Sequence, residues 1–600
     1  MSQRDILGAI MRAILQLLLL TLPLLAQPAP PRDSRNTSIP GTDTHFAAPS
    51  FASLDSLETR KAALRKQILF AAGLCPMPER SPLRPRFFNH LEREGYSIDA
   101  VLLETMPGYY LGGNLYRPRG KTGKFPGVAA PHGHWKNGRL EHQELASTPG
   151  RSINMALQGY VVFAYDMVGW NDTKQTPHDF GDTEEQLWGF GPLGLQLWNS
   201  IRVVDFLTSL PEVDPERIGA TGASGGGTQT FLLEAVDDRL KFSAPVNMVS
   251  AIMQGGSYCE NAPGLRAGTN NVEIAAMMAP RPMLLVAATG DWTRNVPKEE
   301  FPAIQAIYRL YDKGDNVAAV QFDSPHNYHQ GSRETVYRFF ARHALRLPNA
   351  DELREQPFEV PPPEQMLALA GRSLPDGALT YAQLFNQWKV AASRRLENIR
   401  EPEQLRELLA LAIKAAYPRD TTVQEQAGQV VFSRPGAGDR VPGRWFPGRG
   451  KAVLIVHEGG SEAGLRSAEA ASLRADGRPV LLIDAFQTGA AVAPRDRSHR
   501  HFLTFNLSDD ACRVQDILTV LPWLARQSDG PVELTGIGRG AVWALFAAAL
   551  SDQPLKLSAK LGGFQGSDQD FIEKFFVPGV QRAGGLRAAL RLTESMRAAN

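Results

Sequence analysis

The chain has 600 residues, 43% of them apolar, which is too many for a single core and enough for about two to four domains. Its 64 basic residues balance 63 acidic ones, so no overall field draws in nucleic acid or an acidic membrane surface. Cys75, Cys259 and Cys512 form no C-x-x-C pair, which excludes a zinc ribbon or a dithiol redox motif, and no motif asks for a cofactor.

Arg4 and Arg12 precede an apolar run, Ala13 to Ala26, that contains Pro23 and falls short of the roughly 20 residues of a spanning helix. Residues 1–26 therefore read as a signal peptide cleaved after Ala26, with export to the periplasm or medium and no membrane contact afterwards. Residues 27–50, rich in Pro, Ser, Thr and Asn, predict a flexible leader. A helical pattern from Ser53 to Leu74 then opens a first domain, residues 51–347.

Strand signals follow at Tyr109–Tyr116, Phe125–Ala130, Tyr160–Tyr165, Arg217–Thr221, Lys241–Val246, Pro282–Ala288 and Val317–Phe322. Helical or loop stretches separate them, which predicts a doubly wound, mostly parallel α/β sheet with function at the carboxyl ends of its strands. Between the fourth strand and the next helix, Gly222-Ala-Ser224-Gly-Gly226 fits G-x-S-x-G, a sharp turn that presents a serine nucleophile. A free hydroxyl is unreactive at neutral pH, so the reading needs a base, an acid to orient it and oxyanion donors. Asp291 follows the sixth strand and His326 the seventh, in the order Ser, Asp, His. His326 is preferred to His329 because it is nearer the strand end, and Asp291 to Glu299 and Glu300, which fall on a helical face.

Pro131-His132-Gly-His134-Trp135 lies past the second strand, so backbone N–H groups at His134 and Gly225 are the expected oxyanion donors. His132 and His134 at i and i+2 also suggest a metal pair, but the binuclear zinc pattern needs Asp at 136, which is Lys136, and no metal is expected. His132, Trp135, Asp166, Trp170 and Glu260 are candidates to line a substrate pocket, with loop-stabilising roles as the alternative for Asp166, Trp170 and Glu260.

These residues resemble the α/β-hydrolase superfamily, and within it exported bacterial proteins that are acetyl-xylan-esterase-like or dienelactone-hydrolase-like. Gly113-Asn-Leu-Tyr-Arg-Pro118, Pro131-His-Gly-His134, Asp166-Met-Val-Gly-Trp170, Gly222-Ala-Ser-Gly-Gly226, Cys259-Glu-Asn-Ala-Pro263 and Pro325-His-Asn-Tyr328 carry the likeness. The resemblance implies a Ser224, Asp291, His326 triad and hydrolysis of small-molecule or carbohydrate esters. Gly225 stands where the best-defined sugar-esterase families have Gln. A prolyl-oligopeptidase-like peptidase and a non-catalytic binding protein are the alternatives.

Beyond Leu347, a Pro-rich linker and a helical segment occupy residues 348–420, and residues 421–600 repeat earlier phrases. Ala452–Gly460 follows the layout of Val128–Trp135, Val480–Asp484 that of Val161–Asp166, and Leu555–Ala559 that of Leu240–Ala244. Gly538 stands where Ser224 would be. Gly536-Ile-Gly-Arg-Gly540 follows two earlier strands, whereas a dinucleotide-binding turn belongs after the first. The expectation is a degenerate, inert second hydrolase-like domain that lacks its last two strands.

Overall fold

The computed structural model describes residues 32–598, so the expected signal peptide lies outside the described residues. The first sheet opens with an antiparallel meander, of which the sequence reading placed only the last member: β1 Arg86–Arg93, β2 Tyr96–Met106 and β3 Tyr109–Pro118. Then come β4 Phe125–Pro131, β5 Val161–Tyr165, β6 Val213–Ala223, β7 Leu240–Val246, β8 Met283–Gly290 and β9 Val317–Pro325. The order across the sheet is β1-β2-β3-β5-β4-β6-β7-β8-β9, with β4 to β9 parallel to one another.

Helices cover both faces, which is why β5 is buried along its whole length and reads as an unbroken apolar run. Val161 and Phe163 point to one face, towards α1 Leu54–Ala71, α3 Pro192–Ser209 and α4 Gly225–Val236. Val162 and Ala164 point to the other, towards α2 Thr148–Gln158 and α5 Gln330–Phe340.

The second unit joins α6 Tyr381–Asn398 and α7 Pro402–Ile413 to a sheet of β10 Thr422–Gln426, β11 Gln429–Ser433, β12 Val441–Phe446, β13 Val453–His457, β14 Val480–Ile483, β15 Val532–Ile537 and β16 Leu555–Ala559. Its helices α8 Asp509–Ala525 and α9 Gly540–Leu550 are almost wholly buried. The strand order, β10-β11-β12-β14-β13-β15-β16, is the same permutation as the first seven strands of the first sheet. Among the described residues the second sheet ends at β16, and nothing corresponds to β8 and β9. Lys556 and Ser558 are exposed on that edge, and an edge lysine opposes pairing with another strand.

Two segments depart from the sequence reading. Residues 33–50 are no loose leader but a strap across both units. Arg35 bonds Asp33 at 2.7 Å and Asp516 of α8 at 2.6 Å, Phe46 N–H donates to Ala251 O, and Asn506 donates to Pro40 O. Apart from Asp33, the partners lie hundreds of positions away, so composition alone could not reveal them. The Pro-rich stretch after residue 348 also packs down rather than linking freely. Backbone N–H groups of Ala368 and Leu369 donate to Asp172, each at 2.9 Å, and Asn114 donates to Met366 O.

The two units also share a boundary core. Phe70 and Leu187 of the first are buried among residues of the second, and Gly264 and Arg266 N–H groups donate to Leu503 O and Thr504 O. Asp516 is fully buried, and burial pushes its carboxyl up to about 6 despite Arg35. Arg35→Ala leaves that carboxylate without its cation, and the expected loss is about 3 kcal/mol of stability, part of it recovered by Arg35→Lys. Urea unfolding at pH 7 checks this, and an unchanged midpoint for Arg35→Ala would contradict the strap's role.

Candidate active site

Parallel strands that end in register place their following loops side by side, and the loops after β4 to β9 carry every functional candidate. Gly290 is paired with Pro325, so Asp291 and His326 each lie one residue past the paired ends of β8 and β9. Asp291 Oδ2 accepts from His326 Nδ1 at 2.7 Å. Its Oδ1 accepts from Thr293 N at 2.7 Å and Thr293 Oγ1 at 2.5 Å, so both oxygens are fixed and the carboxylate cannot turn away. His326 Nε2 is buried and has no hydrogen-bond partner among the described residues. His329, the rejected alternative, caps α5 instead, with Nδ1 accepting from Ser332 N at 3.0 Å.

Ser224 sits between β6 and α4 at φ 59° and ψ −127°, a left-handed region that a residue with a side chain enters only at a cost of about 1–3 kcal/mol. The surrounding packing enforces it. A Cβ on Gly222 or Gly226 would come within 2.7 Å of Pro131 O, and one on Gly225 within 2.6 Å of His134 Cε1 and the Met167 methyl. Glycine at these positions lets the loop after β4 lie directly against the serine turn, with the His134 ring against Gly225.

Trp135 and Trp292 both pack on His326, with ring centroids at 5.8 and 4.6 Å. Trp135 was a pocket candidate and is found on the imidazole. The role of Trp292 was missed, although its position beside Asp291 was the available signal.

Three of the remaining pocket candidates are corrected. His132 is 1% exposed, donates from Nδ1 to Gly133 O and accepts Met167 N–H on Nε2, so both ring nitrogens are spent inside the protein. It neither reaches substrate nor pairs with His134 on a metal. Asp166 is buried in an ionic cluster with Arg139, which also binds Asp172 at 2.6 Å, and burial pushes the Asp166 carboxyl up to about 6. Because Asp172 holds Ala368 and Leu369, this cluster anchors the Pro-rich strap rather than a ligand. Glu260 is 4% exposed and accepts the N–H groups of Gly256 and Ser257, each at 3.0 Å, which closes its own loop.

Trp170 is half-buried, its indole nitrogen 3.2 Å from His178 Nδ1. His134 Nε2 is 3.1 Å from both His178 Nε2 and Cys259 Sγ. His178 was not singled out, since nothing in its surroundings, Thr176-Pro-His-Asp179, marks a site.

A cleft of about 620 Å³ lies not over Ser224 but between the units, lined by Phe180, Tyr258 and Asn261 on one side and Arg500, His501 and Arg539 on the other. In the second unit, a Cβ at Gly538 would lie 2.5 Å from the Glu458 carboxylate, and Arg539 N–H donates to that carboxylate at 3.1 Å. An acidic side chain thus fills the space beside the turn that matches Ser224.

A mostly parallel sheet in this order, with a strained serine turn beyond its central strand and an acid and a histidine beyond the last two, is the arrangement of the α/β-hydrolases, and this chain is one of them. Residues 94–248 match the family model described as "Acetyl xylan esterase (AXE1)". The chain is 26% identical over 307 residues, 47% of its length and 99% of the relative's, to "Putative hydrolase YtaP" of Bacillus subtilis strain 168. Among solved structures, "Methylesterase BT1017" is 32% identical, with 58% of this chain and 78% of that one covered and a TM-score of 0.49. A putative acetyl xylan esterase from Bacteroides fragilis is 16% identical over 47% of this chain and 79% of its own, with a TM-score of 0.39.

Burial holds His132 neutral by pushing its imidazole down to about 3 from an ordinary 6.5. The folded form therefore binds this proton less readily than the unfolded form, and the stability His132 supplies is complete above pH 6.5 and lost progressively towards pH 3. At pH 5 the loss from this one group is about 2 kcal/mol. His132→Gln should be less stable at pH 7 yet show a smaller drop in thermal midpoint between pH 7 and pH 5. An equal drop in both proteins would contradict a buried neutral imidazole.

Proposed function

We propose that this chain is an exported serine esterase acting on acyl esters of carbohydrates. The observation that carries the reading is the 2.7 Å Asp291–His326 bond, which leaves a shielded, unpartnered Nε2 beyond the end of β9, in the same loop layer as a serine held at positive φ.

In this reading Ser224 Oγ attacks the acyl carbon while His326 Nε2 takes its proton. Asp291 holds Nδ1–H in place and stabilises the imidazolium. The N–H groups of Gly225 and His134 bind the oxyanion, where each donor contributes on the order of 3 kcal/mol. His326 then returns the proton to the leaving alkoxide, and the same groups in reverse hydrolyse the acyl-enzyme with water. The sequence match over residues 94–248 supports the ester chemistry and a sugar-linked leaving group. The second unit takes no part in catalysis, because Gly538 offers no nucleophile and Glu458 occupies its surroundings.

Ser224→Ala and His326→Ala should each lose on the order of 10³-fold or more in kcat/KM on acetyl, feruloyl and p-nitrophenyl esters, with circular dichroism unchanged. His329→Ala should keep most of its turnover and lose about 1 kcal/mol of stability through the lost helix cap. If His329→Ala is the inactive variant instead, the base is misassigned, and if proline-containing peptides are cleaved faster than every ester, the substrate class is wrong.

Export rests on Arg4, Arg12 and the apolar run to Ala26. Mass spectrometry of the mature protein should find an N-terminus near Gln27. Recovery of intact Met1 from the cytosolic fraction would overturn it.

A further inference from the structure

The loops around the serine turn carry a second cluster that ester hydrolysis leaves unused. His134 follows β4, His178 follows β5 and Cys259 follows β7. Their ligand atoms all lie within 4.8 Å of one another, and His134 Nε2 is 3.1 Å from each of the other two. Around a tetrahedral ion with bonds of about 2.0 Å to nitrogen and 2.3 Å to sulfur, such atoms stand roughly 3.3–3.6 Å apart. The two pairs at His134 Nε2 need to open by only a few tenths of an ångström.

Hydrogen bonding accounts poorly for the same three atoms. His178 Nδ1 lies 2.7 Å from Val168 O, closer than the Trp170 indole nitrogen at 3.2 Å, and so carries the proton. Its Nε2 is then a bare lone pair aimed at His134 Nε2. If His134 Nε2 is protonated it serves His178 and turns an N–H, not an acceptor, towards the Cys259 thiol. If it is bare it can accept from the thiol, but two nitrogen lone pairs then face each other at 3.1 Å. One cation satisfies all three atoms together. An imidazole whose far nitrogen donates to a backbone carbonyl is also the usual arrangement of a metal ligand. The carboxylates of Asp179 and Glu260, each next to one of the three residues in sequence, add negative field at His134.

We propose that His134, His178 and Cys259 bind one zinc-class divalent cation, which ties together three of the loops that wall the Ser224 site. Two imidazoles and a thiolate select a borderline or soft ion and reject calcium or magnesium, which require oxygen ligands. On binding, Cys259 gives its thiol proton to solvent, both imidazoles coordinate as neutral bases, and the complex carries one net positive charge. Three protein ligands leave a fourth position for water or a substrate oxygen. His134 keeps its backbone N–H available, so the cation and the oxyanion role coexist, and the site stands whether or not the substrate is a sugar ester.

Full-length protein stripped with a chelator and dialysed should bind one equivalent of Zn²⁺ in calorimetry with a Kd of about 1 µM or tighter. With Co²⁺ in its place, a thiolate-to-cobalt charge-transfer band should appear in the near ultraviolet. Cys259→Ser and His178→Ala should each weaken binding at least about 100-fold, and Cys259→Ser should abolish the band while Cys75→Ser retains it. Less than a tenth of an equivalent of Zn²⁺ bound by the wild-type chain, or a cobalt band that survives Cys259→Ser, overturns the proposal. Because the cobalt spectrum is read on the unaltered protein, a variant that fails to fold does not leave the question open.

Discussion

The constraint on which the rest of the structure depends is the clearance at the serine turn. Three glycines around Ser224 face backbone or side-chain atoms at distances no Cβ tolerates. Only with those positions empty can the loop after β4 press against the first turn of α4. That contact sets the His134 ring against Gly225 and carries it towards His178 and Cys259. A methyl group at Gly225 would therefore disturb both the serine's surroundings and the histidine cluster, because each is built on the same packed loop.

A second dependence runs between the units. Side chains of the first, Phe70 and Leu187, complete the core of the second, and the segment at Leu503 and Thr504 is hydrogen-bonded to the Gly264–Arg266 loop. Arg582 is 1% exposed, lies 5.1 Å from the Trp388 ring and donates to Pro76 O. Burial without a carboxylate partner pushes its guanidinium down to about 9. Such a group tolerates little movement of the surfaces that enclose it, and the units are better described as one folded body with two sheets than as an enzyme with an appendage.

Much of the α/β sheet was legible because buried parallel strands are short apolar runs between helices, and β4 to β9 were all placed within a few residues. The repeat was legible for the same reason, and its strand order matches. The meander of β1 and β2 was not read, since polar residues such as Arg86, Asn89 and Glu92 interrupt β1 and obscure the apolar alternation. The straps at 33–50 and 348–380 were misread as loose because their anchors are single charged or polar residues, Arg35 and Asp172, whose partners are distant in sequence. Strand-end placement singled out Asp291 and His326, which the structure joins by a hydrogen bond. His132 was misassigned, and for Asp166 and Glu260 the loop-stabilising alternative holds, because a buried polar residue in a strand-end loop looks, in sequence, the same as one that faces a ligand. His178 lacked any local signal, since only the fold brings it to Cys259.

The two indoles on His326 have a mechanical consequence. Trp135 belongs to the loop after β4 and Trp292 to the loop after β8, so the imidazole touches two segments that sit on different strands of the sheet. Rotation of the ring by half a turn, which would put Cδ2 in the place of Nδ1 and break the bond to Asp291, requires both loops to part at once. In a packed site such openings are rare excursions on microsecond or longer timescales. The tryptophans therefore act as a latch on the orientation of the ring: Nδ1 stays on Asp291 and Nε2 stays turned away from it from one encounter to the next.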